Sequence, residues 1–306
     1  MDLPRQLGPY RLVRRLGHGG MAEVFVAEAF GASGFVKTVA LKLLRPEHAG
    51  DGELERLLIE EARLGARLGH RNLVGVHDLG CEDGTYYVAM DFVDGCDLRA
   101  LLADGALPAP LALYLLAEIA LALAYVHGAC DVAGRPLGLV HRDVSPKNVL
   151  VSRAGELKLV DFGVAKATRL ADVTRANIRK GTYAYMSPEQ VARVPIGPAS
   201  DQFSAGVTLF ELVTGRRPYQ GDSPLATTDL IAAAAPPDVS ALPPALAAVI
   251  LRCLARAPAA RYPDAAALHA ALIAAARTLP AAGPLELAAA VQRATRSQLS
   301  PVASQR

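Results

Sequence analysis

His141-Arg142-Asp143-Val144-Ser145-Pro146-Lys147-Asn148, followed after two apolar runs by Asp161-Phe162-Gly163, decides how this 306-residue chain is read. The runs between them, Val149-Leu150-Val151 and Leu157-Lys158-Leu159-Val160, have the length and β-branched content of strands. A carboxylate, an amide and a second carboxylate thus stand on two neighbouring loops. One carboxylate can orient a hydroxyl while the amide oxygen and the other carboxylate hold a hard divalent cation.

The first ninety or so residues alternate as strands do. Tyr10-Arg11-Leu12-Val13 leads to a glycine-rich turn, then Glu23-Val24-Phe25-Val26-Ala27, then Thr38-Val39-Ala40-Leu41-Lys42-Leu43. Glu53 to Leu68 has helical spacing, with Leu54, Leu57, Leu58, Leu64 and Leu68 on or near one face. Leu73 to Leu79 and Thr85 to Phe92 bracket Glu82-Asp83-Gly84, a hairpin signal. After Asp94-Gly95 the pattern changes. Helices are expected at Asp97 to Ala103, Ala112 to His127, Ser200 to Thr214, Pro244 to Ala255, Asp264 to Arg277 and Leu285 to Arg296.

Composition narrows the function classes. A hydrophobic share of 52% is ample for a core. Alanine concentrated after Ala232 favours helix there. A net charge of +2 gives no reason to expect nucleic acid or an anionic membrane as the main partner. Cys81, Cys96, Cys130 and Cys253 form no Cys-x-x-Cys pair, so neither a structural zinc nor a disulfide framework is expected; free thiols suit a reducing cytoplasm. Met1 to Tyr10 has no apolar signal core. Leu111 to Val126 is the best membrane candidate, but it is short for a span of about 20 residues and carries Glu118, so it reads as a buried helix.

Gly17-His18-Gly19-Gly20-Met21-Ala22-Glu23-Val24 lies between two strand patterns. Glycines let a backbone approach phosphates closely with its amides as donors, although a lone Gly-x-Gly also fits an ordinary hairpin. A strand rather than a helix follows, which argues against a dinucleotide fingerprint. With Val39-Ala40-Leu41-Lys42 next in order, the chain resembles the eukaryotic-like serine/threonine protein kinases of the bacterial branch, from about Tyr10 to Arg277.

That resemblance implies an α+β bilobal kinase fold: a small N-terminal antiparallel β-sheet lobe with one helix, and a larger, mainly α-helical C-terminal lobe. The kinase domain would span 10–277, with its N-lobe at 10–90, a hinge at 91–95 and its C-lobe at 96–277. A tail at 278–306 would carry the helix 285–296 and could be a linker to another module. ATP would be the phosphoryl donor and magnesium, or manganese, the metal. Leu16, Gly17, His18, Gly19 and Gly20 would cover the phosphates, with Ala22 replacing the loop's third glycine. Lys42 would contact the α/β-phosphates and pair with Glu60 or Glu61, of which Glu61 fits the family spacing. Met90 resembles the gatekeeper. Asp91 and Val93 resemble the adenine-binding hinge, Asp97 the ribose-contacting acid, and Val24, Ala40 and Leu150 the apolar shelf, all of which also fit ordinary core packing.

By the same resemblance, Asp143 orients the substrate hydroxyl and Asn148 and Asp161 bind the metal. His141 is structural, and Phe162 packs against the helix carrying Glu61. Where serine/threonine kinases carry lysine two residues after the catalytic Asp, this chain has Ser145. Lys147 stands two further on, near where tyrosine kinases have a basic residue, and is expected to supply the missing charge. Thr182, in Gly181-Thr182-Tyr183-Ala184-Tyr185-Met186-Ser187-Pro188-Glu189, suits an aliphatic hydroxyl as acceptor. Glu189 should pair with Arg261, and Asp201 should anchor the catalytic loop. Arg142 would receive a phosphate on Thr168 or Thr174, with Thr174 first, unless the nearby basic residues are simply solvated.

Gly65 replaces the bulky residue usual four positions after Glu61, which would leave that helix weakly held until phosphorylation or a partner settles it. The reading that follows is a cytoplasmic signalling kinase acting on protein serine and threonine and on itself. A nucleotide-binding scaffold without transfer and a small-molecule kinase are its competitors.

Overall fold

A computed structural model describes residues 3–19, 21–48, 50–162 and 183–299 of the chain. They form two compact units, Met1–Val93 and Asp94–Arg306.

The first unit is an antiparallel six-stranded sheet: β1 (Arg5–Leu7), β2 (Tyr10–His18), β3 (Ala22–Phe30), β4 (Val36–Leu44), β5 (Val76–Glu82) and β6 (Thr85–Asp91), in the order β1-β2-β3-β4-β6-β5. Because side chains alternate along a strand, register sorts the residues into two faces. Leu12, Phe25, Ala27, Val39, Leu41, Leu43, Tyr87 and Ala89 build one buried cluster. The alternate residues share the other face, where Val24 is paired with Lys42, Val26 with Ala40, Ala40 with Met90, and Lys42 with Val88. The β5–β6 hairpin turns at Asp83 and Gly84, whose φ values of 49° and 75° suit the tight turn that Asp-Gly signals.

Helix α1 (Gly52–Gly65) starts where Asp51 caps it, accepting from the Glu53 and Leu54 amides at 3.1 and 3.2 Å. Its buried stripe of Leu54, Leu57, Leu58 and Ala62 follows the helical period. The expected Glu53–Leu68 helix therefore ends three residues early, and this corrects the reading of Gly65. It is the last residue of α1 rather than an interior weak point. A Cβ there would lie 2.6 Å from Val76 Cγ2, so glycine lets β5 approach, and a bulky side chain has no room.

The second unit is mainly helical, with α2 (Leu98–Leu102), α3 (Ala109–His127), α4 (Pro188–Val191), α5 (Pro198–Thr214), α6 (Pro224–Ala233), α7 (Pro244–Cys253), α8 (Ala265–Ala276) and α9 (Pro284–Leu299). The membrane-candidate stretch lies within α3, which is buried on most of its surface from Leu111 to Val126 and packs on α8 and α5 as a core helix. A small sheet, β7 (Gly95–Asp97), β8 (Val149–Ser152) and β9 (Leu157–Leu159), adjoins the stretch from His141 to Asn148. Gly95 is required there: a Cβ would meet Val151 O at 1.9 Å. The stretch expected as a tail helix is packed, since Leu287 and Val291 are fully buried.

Candidate active site

In the first unit, Lys42 sits on central strand β4, and its ammonium donates to Glu61 Oε1 at 2.7 Å with both side chains largely buried. Glu60, one residue earlier on α1, turns outward and pairs with Arg56 at 2.6 Å. One helix step of 100° separates the two roles. Val24, Ala40 and Met90 share the Lys42 face through their register. The glycine turn is closed by the Gly19 N–H donating to Ala22 O at 2.7 Å. A Cβ on Gly17 would meet nothing within 4 Å, so the fold itself does not demand glycine there.

Asp91 has a structural task the sequence did not announce. Its carboxylate accepts from the Gly75 amide at 2.9 Å and meets His77 Nε2 at 2.8 Å, while its own amide donates to Gly75 O. It thereby ties the end of β6 to the start of β5.

In the second unit, the loop from His141 to Asn148 is fixed by buried polar groups. Asp201, fully buried on α5, accepts from the backbone amides of His141 and Arg142, both at 2.7 Å, and from His127 Nε2 at 2.8 Å. These bonds hold Arg142 at φ 69°, a left-handed conformation costly for a non-glycine residue. Gln190 adds a bond from Nε2 to Arg142 O at 3.1 Å. Gln190 was not singled out in the sequence, although Ser187-Pro188-Glu189-Gln190 is a capping box, and both of its reciprocal bonds are made.

His141 is fully buried, and burial pushes its pKa down despite the carboxylates of Asp201, Asp143 and Asp161 nearby. Its Nδ1 accepts from the Asp143 amide at 3.3 Å, so Nε2 carries the proton and donates to Val160 O at 3.2 Å. A neutral imidazole with both nitrogens engaged is a structural brace. The Phe162 ring lies 5.0 Å from it, centroid to centroid.

The Asp143 carboxylate is nearly buried, and Lys147 Nζ stands 3.1 Å from its Oδ2. Ser145 is fully buried with no hydrogen-bond partner for its hydroxyl among the described residues, so the cation beside Asp143 comes from Lys147. Asn148 donates from Nδ2 to Asp143 O at 2.8 Å, which leaves its Oδ1 as the atom able to take a cation. Val160 N–H donates to Asn148 O at 2.9 Å and Val149 is paired with Leu159, so Asn148 lies opposite Val160 and Asp161 follows one residue later at the same end of the β8–β9 pair. An amide oxygen and a carboxylate are hard donors that fit magnesium. Asp161 also has a positive φ, 56°.

Asp97 and Leu150 are cross-strand partners on β7 and β8. Asp97 already caps α2, accepting from the Ala100 amide at 3.1 Å, and it accepts from Arg99 Nε at 3.0 Å. A ribose hydroxyl there would share the carboxylate with Arg99 and the Ala100 amide. Glu189 and Arg261 form the expected buried pair, at 2.6 and 2.9 Å. Gly20, Gly163, Thr168, Thr174 and Thr182 lie outside the described residues.

Known proteins show the same plan. The profile of the protein kinase domain matches residues 10–273. A tyrosine-protein kinase of Myxococcus xanthus, MasK, is 37% identical over 281 residues, covering 89% of this chain and 44% of that protein. The serine/threonine-protein kinase PknL of Mycobacterium tuberculosis is 39% identical over 248 residues, covering 79% of this chain and 60% of its own length. The chain thus spans about half the length of these relatives. The crystal structure of the M. tuberculosis PknI kinase domain superposes with a TM-score of 0.67 at 31% identity, covering 90% of this chain and 99% of that one.

Proposed function

The chain belongs to the protein kinase domain family, and on that premise we propose that it transfers the γ-phosphoryl group of ATP to serine and threonine hydroxyls of proteins, itself included. The observation that carries this is the buried Lys42–Glu61 ion pair at 2.7 Å, the arrangement in which a kinase lysine can bind phosphates. Lys42 contacts the α/β-phosphates and Glu61 orients it. Asp143 accepts the hydroxyl's hydrogen bond and aims its oxygen. Asn148 and Asp161 hold magnesium, or manganese, which when bound neutralises charge on the phosphates. Leu16 to Gly20 cover the phosphates, and Val24, Ala40, Met90, Val93 and Leu150 serve the adenine, with the Asp91 carbonyl. Arg142 receives a phosphate on Thr168 or Thr174, which suits a cytoplasmic signalling enzyme.

Lys147 takes the place of the lysine absent at Ser145. Its ammonium already lies against Asp143, where charge builds on the transferring group. Lys147→Ala is expected to lower kcat by about tenfold to a hundredfold with the KM for ATP little changed. Turnover equal to wild type would make Lys147 a surface residue.

Two observations favour tyrosine as acceptor instead: the loop's cation sits four residues after Asp143, and the similar Myxococcus protein is named a tyrosine kinase. Labelling with γ-labelled ATP followed by acid hydrolysis separates the two. Phosphothreonine and phosphoserine are expected, and phosphotyrosine alone would contradict the proposal.

A further inference from the structure

Helix α9 presents a continuous apolar stripe to the second unit. Leu287 and Val291 are fully buried, with Ala290, Ala294 and Thr295 beside them, a spacing that keeps one helical face inward. Its partners are α2, β7 and β8. Its first turn is seated on the β8–β9 turn: a Cβ on Gly155 would lie 2.0 Å from Pro284 O, and Gly155 has a φ of 83° that glycine adopts freely. The start of α9 is closed by Glu286, whose Oε2 accepts from the Gly283 amide at 2.8 Å.

The elements beneath this helix are those assigned to nucleotide. Asp97 and Leu150 are paired across β7 and β8, and Asp97 also caps α2. The strand entering this pair is fixed to β8 by the close approach of Gly95 to Val151 and by the Arg153 amide donating to Asp94 O at 2.8 Å. One helix therefore touches both strands that carry the ribose and adenine contacts of this unit and the helix that Asp97 caps. It lies on neither the Asp143 loop nor the Glu189–Arg261 pair in any of these contacts.

We infer that α9 is a positioning element of the nucleotide site, holding the β7–β8 pair and the start of α2 so that Asp97 and Leu150 are set for ATP. This rests on the nucleotide roles proposed above. Loosening α9 should weaken nucleotide binding while leaving phosphoryl transfer from bound ATP intact, a change in KM rather than in kcat.

The test uses the full chain with Leu287→Asp, Leu287→Ala and Leu287→Met, together with Gly155→Ala, which obstructs the seat of Pro284. ADP binding is measured by calorimetry, and kcat and KM for ATP by initial rates. In Leu287→Asp, the KM for ATP and the Kd for ADP are expected to rise about tenfold, with kcat within about twofold of wild type. Leu287→Ala and Gly155→Ala should move the same way by less, and Leu287→Met should restore wild-type binding. If Leu287→Asp fails to fold, Leu287→Ala decides. Unchanged ADP affinity in the folded variants, or an equal fall in kcat and affinity, would overturn the inference. Failure of the wild-type chain to bind ADP would overturn the proposed function as well, whereas wild-type binding that every α9 variant shares overturns the inference alone.

Discussion

Asp143→Asn is expected to lower kcat by about a thousandfold while the KM for ATP and the melting temperature stay close to wild type. The substitution keeps the side chain's shape and removes its charge. The loop's frame does not depend on that charge: Asp201 holds the amides of His141 and Arg142, Asn148 holds Asp143 O, and His141 holds the Asp143 amide. What is lost is the acceptor that would aim a substrate hydroxyl, together with the partner of Lys147 at 3.1 Å. A kcat within about threefold of wild type would remove Asp143 from the chemistry. A large fall in melting temperature would give it a structural role instead.

Arg261→Ala is expected to destabilise the second unit by about 3–5 kcal/mol, the cost of leaving one partner of a buried ion pair uncompensated. The Arg261 side chain is fully buried, and all five of its N–H groups are used. Nη1 and Nη2 bond Glu189 and the carbonyls of Ala199 and Arg256, and Nε bonds Ala255 O. Lysine cannot reproduce that fork, so Arg261→Lys should recover little. Burial pushes the Glu189 pKa up, but its bonds from Arg261 and Ser200 outweigh burial and hold it below the ordinary glutamate range. A carboxylate whose pKa is lower folded than unfolded contributes stability that is full above its unfolded value and is lost as pH falls through the folded one. Wild type should therefore lose stability below about pH 4, and the part of that loss due to Glu189 should be absent from Glu189→Gln. Urea unfolding of wild type and the three variants at neutral and acidic pH checks this. A cost below about 1 kcal/mol for Arg261→Ala would contradict the pair's structural role.

Much of this frame is legible in the chain because local chemistry specifies it. Asp83-Gly84 makes its turn because both positions need φ above zero, and Asp51 caps α1 because its carboxylate reaches the first free amides. Strand alternation puts Lys42 on the face opposite Phe25 and Leu41. Other features depend on contacts distant in sequence. Glu60 and Glu61 are equally helical, so periodicity alone does not separate them; the family spacing favours Glu61, and the packing of α1 is the physical reason that it meets Lys42. Gly65 reads as a weak helix interior until Val76 is seen against it. Helix α6 escapes periodicity because its apolar residues are not gathered on one face, although Ser223 caps it, accepting from the Ala226 amide at 3.0 Å. The tie from Gln190 to Arg142 spans 48 positions and has no local signature beyond the capping box that places Gln190.

The most direct measurement is the initial rate of label transfer from γ-labelled ATP, with magnesium, to a generic basic protein and to the chain itself, wild type beside Asp143→Asn. Label on both acceptors well above the Asp143→Asn background is the predicted result. Nucleotide-dependent thermal stabilisation with no label above that background would make this chain a nucleotide-binding scaffold and contradict the proposal.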